Sequence, residues 1–349
     1  MIKNKLYDED LIYAVSQLDP SYFNQKRILI TGATGMIGSC IIDILLKMCE
    51  TANIECSILA AGRNEEKFKK RFFNISEKSG LEFIKMDFSK EQNTAPLDVD
   101  FIIHGAGNAD PISFTEYPVD TMLSNIIGTK SLIEHGMAGT LKKFLYISSG
   151  EVYGQPNEHM DDFDENYSGY LNYLSPRSCY PSSKRATEVL CQSYISQFDL
   201  KCLIVRPCHI FGPTMTEKDS RAVSEFLRSA ASEKDIILKS KGTLERSHCY
   251  VVDAAMAILL VLIKGKIGQP YNIADPAYQM TISEFAKTAA AAGNCNVVFN
   301  LPSDTEKRGY SSVKRAVLKS DLIQKLGWKP RQLSGSKIER SVNILKNNR

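Results

Sequence analysis

The sequence predicts an α/β protein with a doubly wound parallel sheet and a smaller, discontinuous C-terminal region. Short apolar runs with strand character alternate along the chain with segments of helical periodicity. Strands that are apolar throughout and separated by helices are typical of a parallel sheet covered on both faces. The chain has 349 residues, more than the roughly 150 of an average domain, so a second, smaller region is expected.

The elements can be placed from these patterns. The predicted strands are Arg27–Thr31, Cys56–Ala60, Glu82–Met86, Phe101–His104, Lys143–Ser148 and Lys201–Arg206. The predicted long helices are Met36–Glu50, Val119–His135 and Ser182–Gln197. Each helix falls between two predicted strands, which is the order of repeated βαβ units.

The chain divides into three predicted parts. Residues 1–25 predict a helical extension, and residues 26–206 predict the main α/β domain. After Pro207 the pattern loosens, because prolines and glycines break it into short elements. We therefore expect residues 207–244 and 276–349 to form a substrate-binding region, with segments near 245–275 returning to the main sheet.

Composition excludes several classes of protein. The net charge is +3, so no strong field attracts nucleic acid or an anionic membrane. Nine scattered cysteines without CxxC spacing argue against a disulfide framework and against a zinc site, and the five histidines show no metal spacing. The N-terminus is acidic, unlike a signal peptide, and no apolar run approaches the roughly 20 residues of a membrane span. We expect a soluble cytoplasmic protein without a metal.

Three glycines follow the first predicted strand. Gly32, Gly35 and Gly38 stand at a spacing of three, and an amphipathic helix begins after them. Glycine permits a tight turn and close backbone approach, and a helix N-terminus offers free N–H groups to a pyrophosphate. The spacing is GxxGxxG rather than GxGxxG, but the position between strand and helix predicts dinucleotide binding in a Rossmann-type domain.

Other strand ends supply the remaining cofactor contacts. The second strand ends without the carboxylate that favours NAD, and Arg63 follows it, placed to pair with a 2′-phosphate or to stack on adenine. The residues therefore leave the choice between NAD and NADP open. Asp87 follows the third strand, where it would accept a hydrogen bond from the adenine amine. Gly105-Ala106-Gly107 follows the fourth and leaves room for the cofactor.

A tyrosine and a lysine predict the catalytic centre. Tyr180 and Lys184 are four residues apart near the start of a predicted helix, so both side chains lie on one face. A free tyrosine has a pKa near 10, and an adjacent ammonium is expected to lower that pKa. Ser149 and Glu151 follow the fifth strand, at the edge of the sheet where ligands of such folds bind.

These motifs together resemble the extended short-chain dehydrogenase/reductases, the NAD-dependent epimerase/dehydratase family. The matching segments are Thr31-Gly32-x-x-Gly35-x-x-Gly38, Asp87, His104 to Pro111, Asn125 to Thr129, Ser149 to Gly154, Tyr180-x-x-x-Lys184 and Arg206-Pro207. The similarity runs from about Lys26 to about Pro330. It implies the cofactor-binding residues Gly32, Thr34, Gly35, Met36, Ile37, Gly38, Arg63, Asp87, Phe88, Gly105, Ala106, Gly107, Asn125, Tyr180, Lys184 and Pro207, with NAD as the cofactor.

Within that family, three segments are most similar to the UDP-glucuronate decarboxylases. They are His104 to Pro111, Glu151 to Gly154 with Pro176 to Tyr180, and Phe211 to Pro213 with Arg221 to Phe226. The resemblance implies that Tyr180 is the base, Lys184 its activator, Ser149 a partner of the sugar 4-hydroxyl and Glu151 a group at the C5 end. The implied substrate-binding residues are Asp110, Arg177, His209, Arg221 and Arg246, with Arg246 near the diphosphate; Arg206 is expected to be structural.

The chain departs from the pattern at several positions. The family's 4,6-dehydratases carry Asp-Glu where this chain has Gly150-Glu151, which disfavours dehydration. The 4-epimerases generally lack the Glu, which disfavours plain epimerisation. His209 replaces a substrate-side Asn of the decarboxylases, and Gly150 replaces a Ser. The decarboxylase interpretation is therefore accompanied by two alternatives, a 4-epimerase or 4,6-dehydratase for surface polysaccharide synthesis, and a non-catalytic dinucleotide sensor.

The resemblance also implies a homodimer formed through the helices at residues 119–135 and 182–197. The expected small-molecule partner is a nucleotide-diphosphate sugar. The sequence leaves the nucleobase, the sugar and the pathway open.

Overall fold

A computed structural model describes residues 2–75, 79–87, 96–157, 162–300 and 315–347. Its centre is a parallel sheet of seven strands in the order β10-β6-β5-β4-β1-β2-β3. These strands are β1 Lys26–Thr31, β2 Cys56–Gly62, β3 Leu81–Lys85, β4 Phe101–His104, β5 Lys143–Ile147, β6 Cys202–Pro207 and β10 Pro270–Ile273. The predicted α/β class and doubly wound parallel sheet are confirmed.

Helices cover both faces of this sheet. They are α1 Lys5–Ser16, α2 Met36–Thr51, α3 Glu65–Phe72, α4 Pro111–Glu116, α5 Pro118–Met137, α6 Cys179–Phe198 and α8 Val251–Lys264. Helices α1, α2 and α8 pack on one another and bury one apolar cluster, while α5 and α6 cover a second cluster on the opposite face. The strands are apolar on both sides because both faces are covered.

The C-terminal part contributes two smaller sheets. Strands β7 His209–Phe211, β9 Glu245–Tyr250, β11 Gln279–Thr281 and β13 Arg315–Ala316 form one, and β8 Ile236–Leu238 pairs with β12 Val297–Phe299 in the other. Helices α7 Ala222–Ala231, α9 Ile282–Gly293 and α11 Lys337–Lys346 pack together beside them, and the short α10 Asp321–Lys325 lies near β10. The predicted boundaries between the parts of the chain stay predictions, although β10 does lie in the main sheet.

The N-terminal extension is tied to both parts. Tyr7 in α1 donates a hydrogen bond to the buried Asp43 of α2, with an O–O distance of 2.8 Å. Asp10 is 1% exposed and accepts hydrogen bonds from Tyr250, at the end of β9, and from Arg340 of α11, both at 2.9 Å. A buried carboxylate needs such partners to offset its lost hydration. Helix α1 therefore links the helix that follows the glycine loop to the C-terminal helix.

Candidate active site

The glycine loop folds as its sequence requires. Gly32 has a φ of +69°, and a Cβ there would lie 2.7 Å from the carbonyl oxygen of Gly105. A Cβ on Gly38 would lie 2.9 Å from the carbonyl carbon of Gly32. Helix α2 begins at Met36, and its N-cap Gly35 supplies no side-chain hydrogen bond to the first turn. The first-turn N–H groups of an uncapped helix suit an anionic ligand such as pyrophosphate.

A hydrogen-bonded network holds the neighbouring strand ends together. The Thr31 hydroxyl oxygen accepts hydrogen bonds from the backbone N–H groups of Gly105 at 3.1 Å and Ala106 at 3.0 Å. It also bonds with Nδ1 of His104 at 2.7 Å, and His104 Nε2 bonds with Thr129 at 3.0 Å. Burial and the charge of Lys184 lower the pKa of His104 to about 3, so this imidazole is neutral at pH 7.

Asn125 faces Gly107, the second glycine of the loop that follows β4. A Cβ on Gly107 would lie 3.1 Å from Asn125 Oδ1. The Asn125 amide donates to the carbonyl of Thr121 at 2.8 Å and to Ser183 Oγ at 3.1 Å. Its buried Oδ1 has no hydrogen-bond partner among the described residues, which leaves an acceptor for a ligand.

The remaining predicted cofactor residues lie at the carboxyl ends of their strands. Arg63 is exposed and directly follows β2. Asp87 is half-buried beyond the end of β3, and Pro207 ends β6. Thr34 and Ile37 are half-buried in the glycine loop and the first turn of α2. Phe88 lies outside the described residues.

The predicted base and its lysine are both buried in α6. This helix begins at Cys179, as the proline at its start predicts. Lys184 Nζ donates to the carbonyl of Ile147 at 2.9 Å and lies 5.8 Å from the centre of the Tyr180 ring. Burial lowers the pKa of Lys184 to about 8. The Lys184 side chain is therefore held at the carboxyl end of β5, close to the Tyr180 ring.

The electrostatics of Tyr180 differ from the sequence expectation. Burial raises the pKa of Tyr180 to about 12, and the nearby charge of Glu151 acts in the same direction. A hydrogen bond with Ser149 and the charges of Arg221 and Arg177 oppose this rise without reversing it. The pKa of Tyr180 is therefore raised rather than lowered as a whole, because desolvation dominates and the lysine ammonium is directed to a backbone carbonyl.

Glu151 is held in an ion pair beside the tyrosine. Ser149 caps the short helical turn Gly150–Tyr153, where its Oγ accepts from the Glu151 N–H at 3.1 Å. Arg177 Nη2 lies 3.1 and 3.2 Å from the two carboxylate oxygens of Glu151. The Arg177 guanidinium carbon lies 4.6 Å from the centre of the Phe114 ring. Ser149, Glu151 and Tyr180 thus share one location at the carboxyl end of β5.

Sequence reasoning missed Phe114. Its ring stacks on Tyr180 with a centroid separation of 4.5 Å and an interplanar angle of 23°. Helix α4 carries it, and Asp110 caps that helix by accepting from the Ser113 N–H at 3.1 Å. The predicted substrate residue Asp110 is therefore engaged in capping. No sequence signal pairs Phe114 with Tyr180, because the contact forms only when α4 packs beside α6.

The other predicted substrate residues come from the C-terminal part. Burial, followed by the charges of His248, Arg246 and Arg221, holds the pKa of His209 well below its usual value. Arg246 is 3% exposed, and burial lowers its pKa to about 10 while the charge of Glu151 opposes that change. Arg221 pairs with Asp219 at 2.6 Å. Arg246 is thus a buried cation close to Glu151, whereas the half-buried His209 is neutral and the half-buried Arg221 is paired with Asp219.

Arg206 has the structural role that the sequence predicts. It pairs with Glu188 at 2.6 Å and donates to the hydroxyl of Tyr153 at 2.9 Å and the carbonyl of Glu165 at 2.8 Å. Within the described part of the chain, no group of three or more His, Cys, Asp or Glu side chains is arranged to hold a metal ion. None of the helices formed by the described residues combines the length and apolar character that a bilayer crossing requires.

Comparison with known proteins identifies the family of the chain. The model of the NAD dependent epimerase/dehydratase family matches residues 28–274, and the chain belongs to that family. UDP-glucuronic acid decarboxylase 3 of Arabidopsis thaliana is 32% identical over 315 residues, covering 87% of this chain and 84% of the relative.

Two solved structures share the fold. A dTDP-glucose 4,6-dehydratase of Streptomyces venezuelae with bound NAD superposes with a TM-score of 0.76 at 20% identity, covering 92% of this chain and 97% of the other. A UDP-glucuronic acid 4-epimerase of Bacillus cereus, in complex with UDP-glucuronic acid and NAD, gives 0.74 at 21% identity, covering 92% and 98%.

Proposed function

We propose that this protein is a nucleotide-sugar decarboxylase that converts UDP-glucuronate to a UDP-pentose with a bound, recycled NAD. The observation that carries the proposal is the meeting of Ser149, Glu151 and Tyr180 at the carboxyl end of β5, two strands from the glycine loop that follows β1. The 32% identity to a UDP-glucuronic acid decarboxylase over most of both chains favours this reaction over others of the family.

The described residues fit NAD. The loop at Gly32, Gly35 and Gly38 and the uncapped start of α2 suit a pyrophosphate. The unsatisfied Oδ1 of Asn125 offers an acceptor beside the β4 loop. When bound, NAD supplies hydride chemistry, taking a hydride from the sugar and returning it later. Arg63 is exposed at the end of β2, where it can also meet a 2′-phosphate, so NADP is a second candidate cofactor.

The residues divide the chemistry among them. Tyr180, as phenolate, accepts the proton of the sugar 4-hydroxyl while Ser149 bonds the same oxygen. Oxidation at C4 places a ketone β to the C5 carboxylate, and that ketone accepts the electron pair released when CO2 leaves. C5 of the resulting enolate then takes one proton from solvent at the Glu151 end, and Tyr180 returns its proton to the C4 oxygen when C4 is reduced again. Lys184 supplies positive charge beneath Tyr180, and Arg246 offers a buried cation near the substrate diphosphate.

The geometry at Gly150 argues against a 4,6-dehydratase. A Cβ at this position would lie 3.0 Å from Leu318 Cδ1 and 3.4 Å from the carbonyl oxygen of Pro207. An acid at this position would therefore have to displace the Leu318 side chain by a few tenths of an ångström, and the sequence supplies no acid there. The 4-epimerase and the non-catalytic dinucleotide sensor are kept as outcomes of the test.

Assembly, location and pathway form part of the proposal. Helices α5 and α6 carry exposed apolar side chains, including Val119, Leu123 and Val189, which support a homodimer through these helices. The described cysteines are all free thiols, which supports a cytoplasmic location. A nucleotide sugar is an activated precursor, so its product would serve polysaccharide biosynthesis.

The direct test is incubation of the purified protein with NAD and UDP-glucuronate, followed by mass spectrometry and proton NMR. Loss of CO2 with formation of a UDP-pentose is expected. A product of unchanged mass with inverted C4 would establish an epimerase instead, and loss of water would establish a dehydratase. Absence of cofactor reduction by any nucleotide sugar, with cofactor still bound, would establish the sensor.

Replacing Gly38 with Ala tests the predicted cofactor loop. The new Cβ would press on the Gly32 carbonyl group, which forces the loop or α2 to shift. Overpacking of this kind costs about 1–3 kcal/mol, so we expect NAD binding to weaken by about 5–150-fold, measured by calorimetric titration. Gly335→Ala is the control, because Gly335 is exposed outside the predicted cofactor site and its Cβ would meet only Glu339 Oε2 at an ordinary 3.4 Å. Equal NAD affinity in Gly38→Ala and the wild type would contradict the assignment.

A further inference from the structure

We infer that Arg177 is a positioning residue that holds the Glu151 carboxylate against the catalytic tyrosine, rather than a residue that binds the substrate directly. The inference rests on the proposed function, because Glu151 is assigned there to the C5 end of the sugar. It concerns a contact between two parts of the chain that are 26 residues apart.

The ion pair is asymmetric in its exposure. The Arg177 side chain is 18% exposed and that of Glu151 is 37% exposed. One guanidinium nitrogen reaches both carboxylate oxygens, at 3.1 and 3.2 Å. The arginine is therefore the anchored partner, and the glutamate keeps an open side toward the site. A carboxylate on a flexible side chain that must act at one carbon gains from such fixation.

Arg177 packs on Phe114, whose ring also stacks on Tyr180. The Phe114 ring lies 4.6 Å from the Arg177 guanidinium and stacks on Tyr180 at 4.5 Å. The thiol of Cys179 lies 3.7 Å from the Phe114 carbonyl oxygen. Phe114 is thus contacted by Arg177, just before α6, and by Cys179 and Tyr180 in its first turn, and it couples the position of Glu151 to that of Tyr180.

The Arg177–Glu151 pair also determines the charges that surround Tyr180. Glu151 raises the pKa of Tyr180, whereas Arg177 and Arg221 lower it, as does the hydrogen bond from Ser149. Lys184 lies 5.8 Å from the Tyr180 ring centre and donates to the Ile147 carbonyl. Removing Arg177 should therefore raise the pKa of Tyr180, and removing the charge of Glu151 should lower it. If Arg177 and Glu151 contributed only to stability, replacing them would not shift the pKa of Tyr180 in opposite directions.

A double-mutant cycle tests the inference. Arg177→Met should lower decarboxylase kcat by about 10–100-fold with little change in KM, because the arginine acts through Glu151. Arg177→Lys should restore part of the loss, since an ammonium can still pair with the carboxylate. Adding Arg177→Met to Glu151→Gln should cause little further loss, because the partner is already neutral. Arg27→Met, which breaks an arginine pair with Asp98 at the opposite end of the strands, is the control.

The outcomes separate this inference from the proposed function. Decarboxylation by the wild type together with additive losses in the cycle, or a KM increase in Arg177→Met alone, would overturn the positioning role and leave the function standing. Failure of the wild type to decarboxylate would overturn the function. In that case the ion pair is tested without substrate. The pKa of Tyr180 is measured by carbon-13 NMR titration of protein with labelled tyrosine, and the Tyr180 signal is assigned by its loss in Tyr180→Phe. Opposite pKa changes in the Arg177→Met and Glu151→Gln variants support the inference, and equal values contradict it.

Discussion

Replacing Tyr180 with Phe is expected to lower the rate of UDP-pentose formation by about 10³–10⁴-fold, at the upper end of what a general base contributes. The phenyl ring keeps the stacking on Phe114 and removes only the hydroxyl that exchanges a proton with the sugar. NAD affinity and thermal stability should therefore remain close to those of the wild type. Single-turnover measurement of cofactor reduction should show that the loss occurs at the oxidation of C4.

Tyr194→Phe provides the matched control for this prediction. Tyr194 lies in the same helix, and its hydroxyl donates to Glu134 at 2.8 Å, away from Ser149 and Glu151. Its loss should leave turnover unchanged. If Tyr180→Phe retained a tenth or more of the wild-type rate, another group would have to be the base.

The pH dependence of the reaction should follow the same residue. Burial raises the pKa of Tyr180 to about 12 in this structure, so the free protein holds little phenolate at neutral pH. The kcat/KM for the free protein should therefore rise as pH increases from neutral toward alkaline values, as long as the fold persists.

Replacing Lys337 with Met is expected to lower the free energy of unfolding by about 3–5 kcal/mol, the cost of leaving buried charges unpaired. Lys337 Nζ lies 2.7 Å from Asp253 and 2.6 Å from Asp275, and all three side chains are at most 3% exposed. Burial raises the pKa of Asp253 to about 6 even though the charge of Lys337 opposes that rise. Urea unfolding followed by circular dichroism measures the loss.

Lys346→Met separates this effect from a general effect on α11. Lys346 belongs to the same helix and pairs with the exposed Glu233 at 3.1 Å. Surface pairs contribute about 0–1 kcal/mol, so this variant should unfold almost as the wild type does. A loss below about 1 kcal/mol in Lys337→Met would show that the carboxylates are solvated or protonated without their cation.

The main sheet could be predicted because its signals are local. Strand β4 is Phe101–His104 in both the sequence pattern and the structure, and α6 begins one residue before Tyr180. An apolar run between turn residues fixes a strand, and a proline fixes a helix start, without knowledge of distant residues. The positions of Ser149, Glu151 and Tyr180 at one edge follow from the order of parallel strands.

What could not be predicted depends on contacts between distant segments. The Arg177–Glu151 pair and the Phe114–Tyr180 stack require a particular packing of α4 against α6. The raised pKa of Tyr180 depends on burial, which the spacing to Lys184 does not reveal. Lys337 appears in the sequence as an ordinary charged residue, and only the fold places it between two buried carboxylates.

The order in which the chain is synthesised affects when helix α1 can take its final position. Asp10 is made 330 positions before its partner Arg340. A buried carboxylate without its cations is costly, so α1 has little reason to dock on the nascent chain. Although earlier segments of a chain commonly fold first during synthesis, α1 should take its final position only after helix α11 has been made.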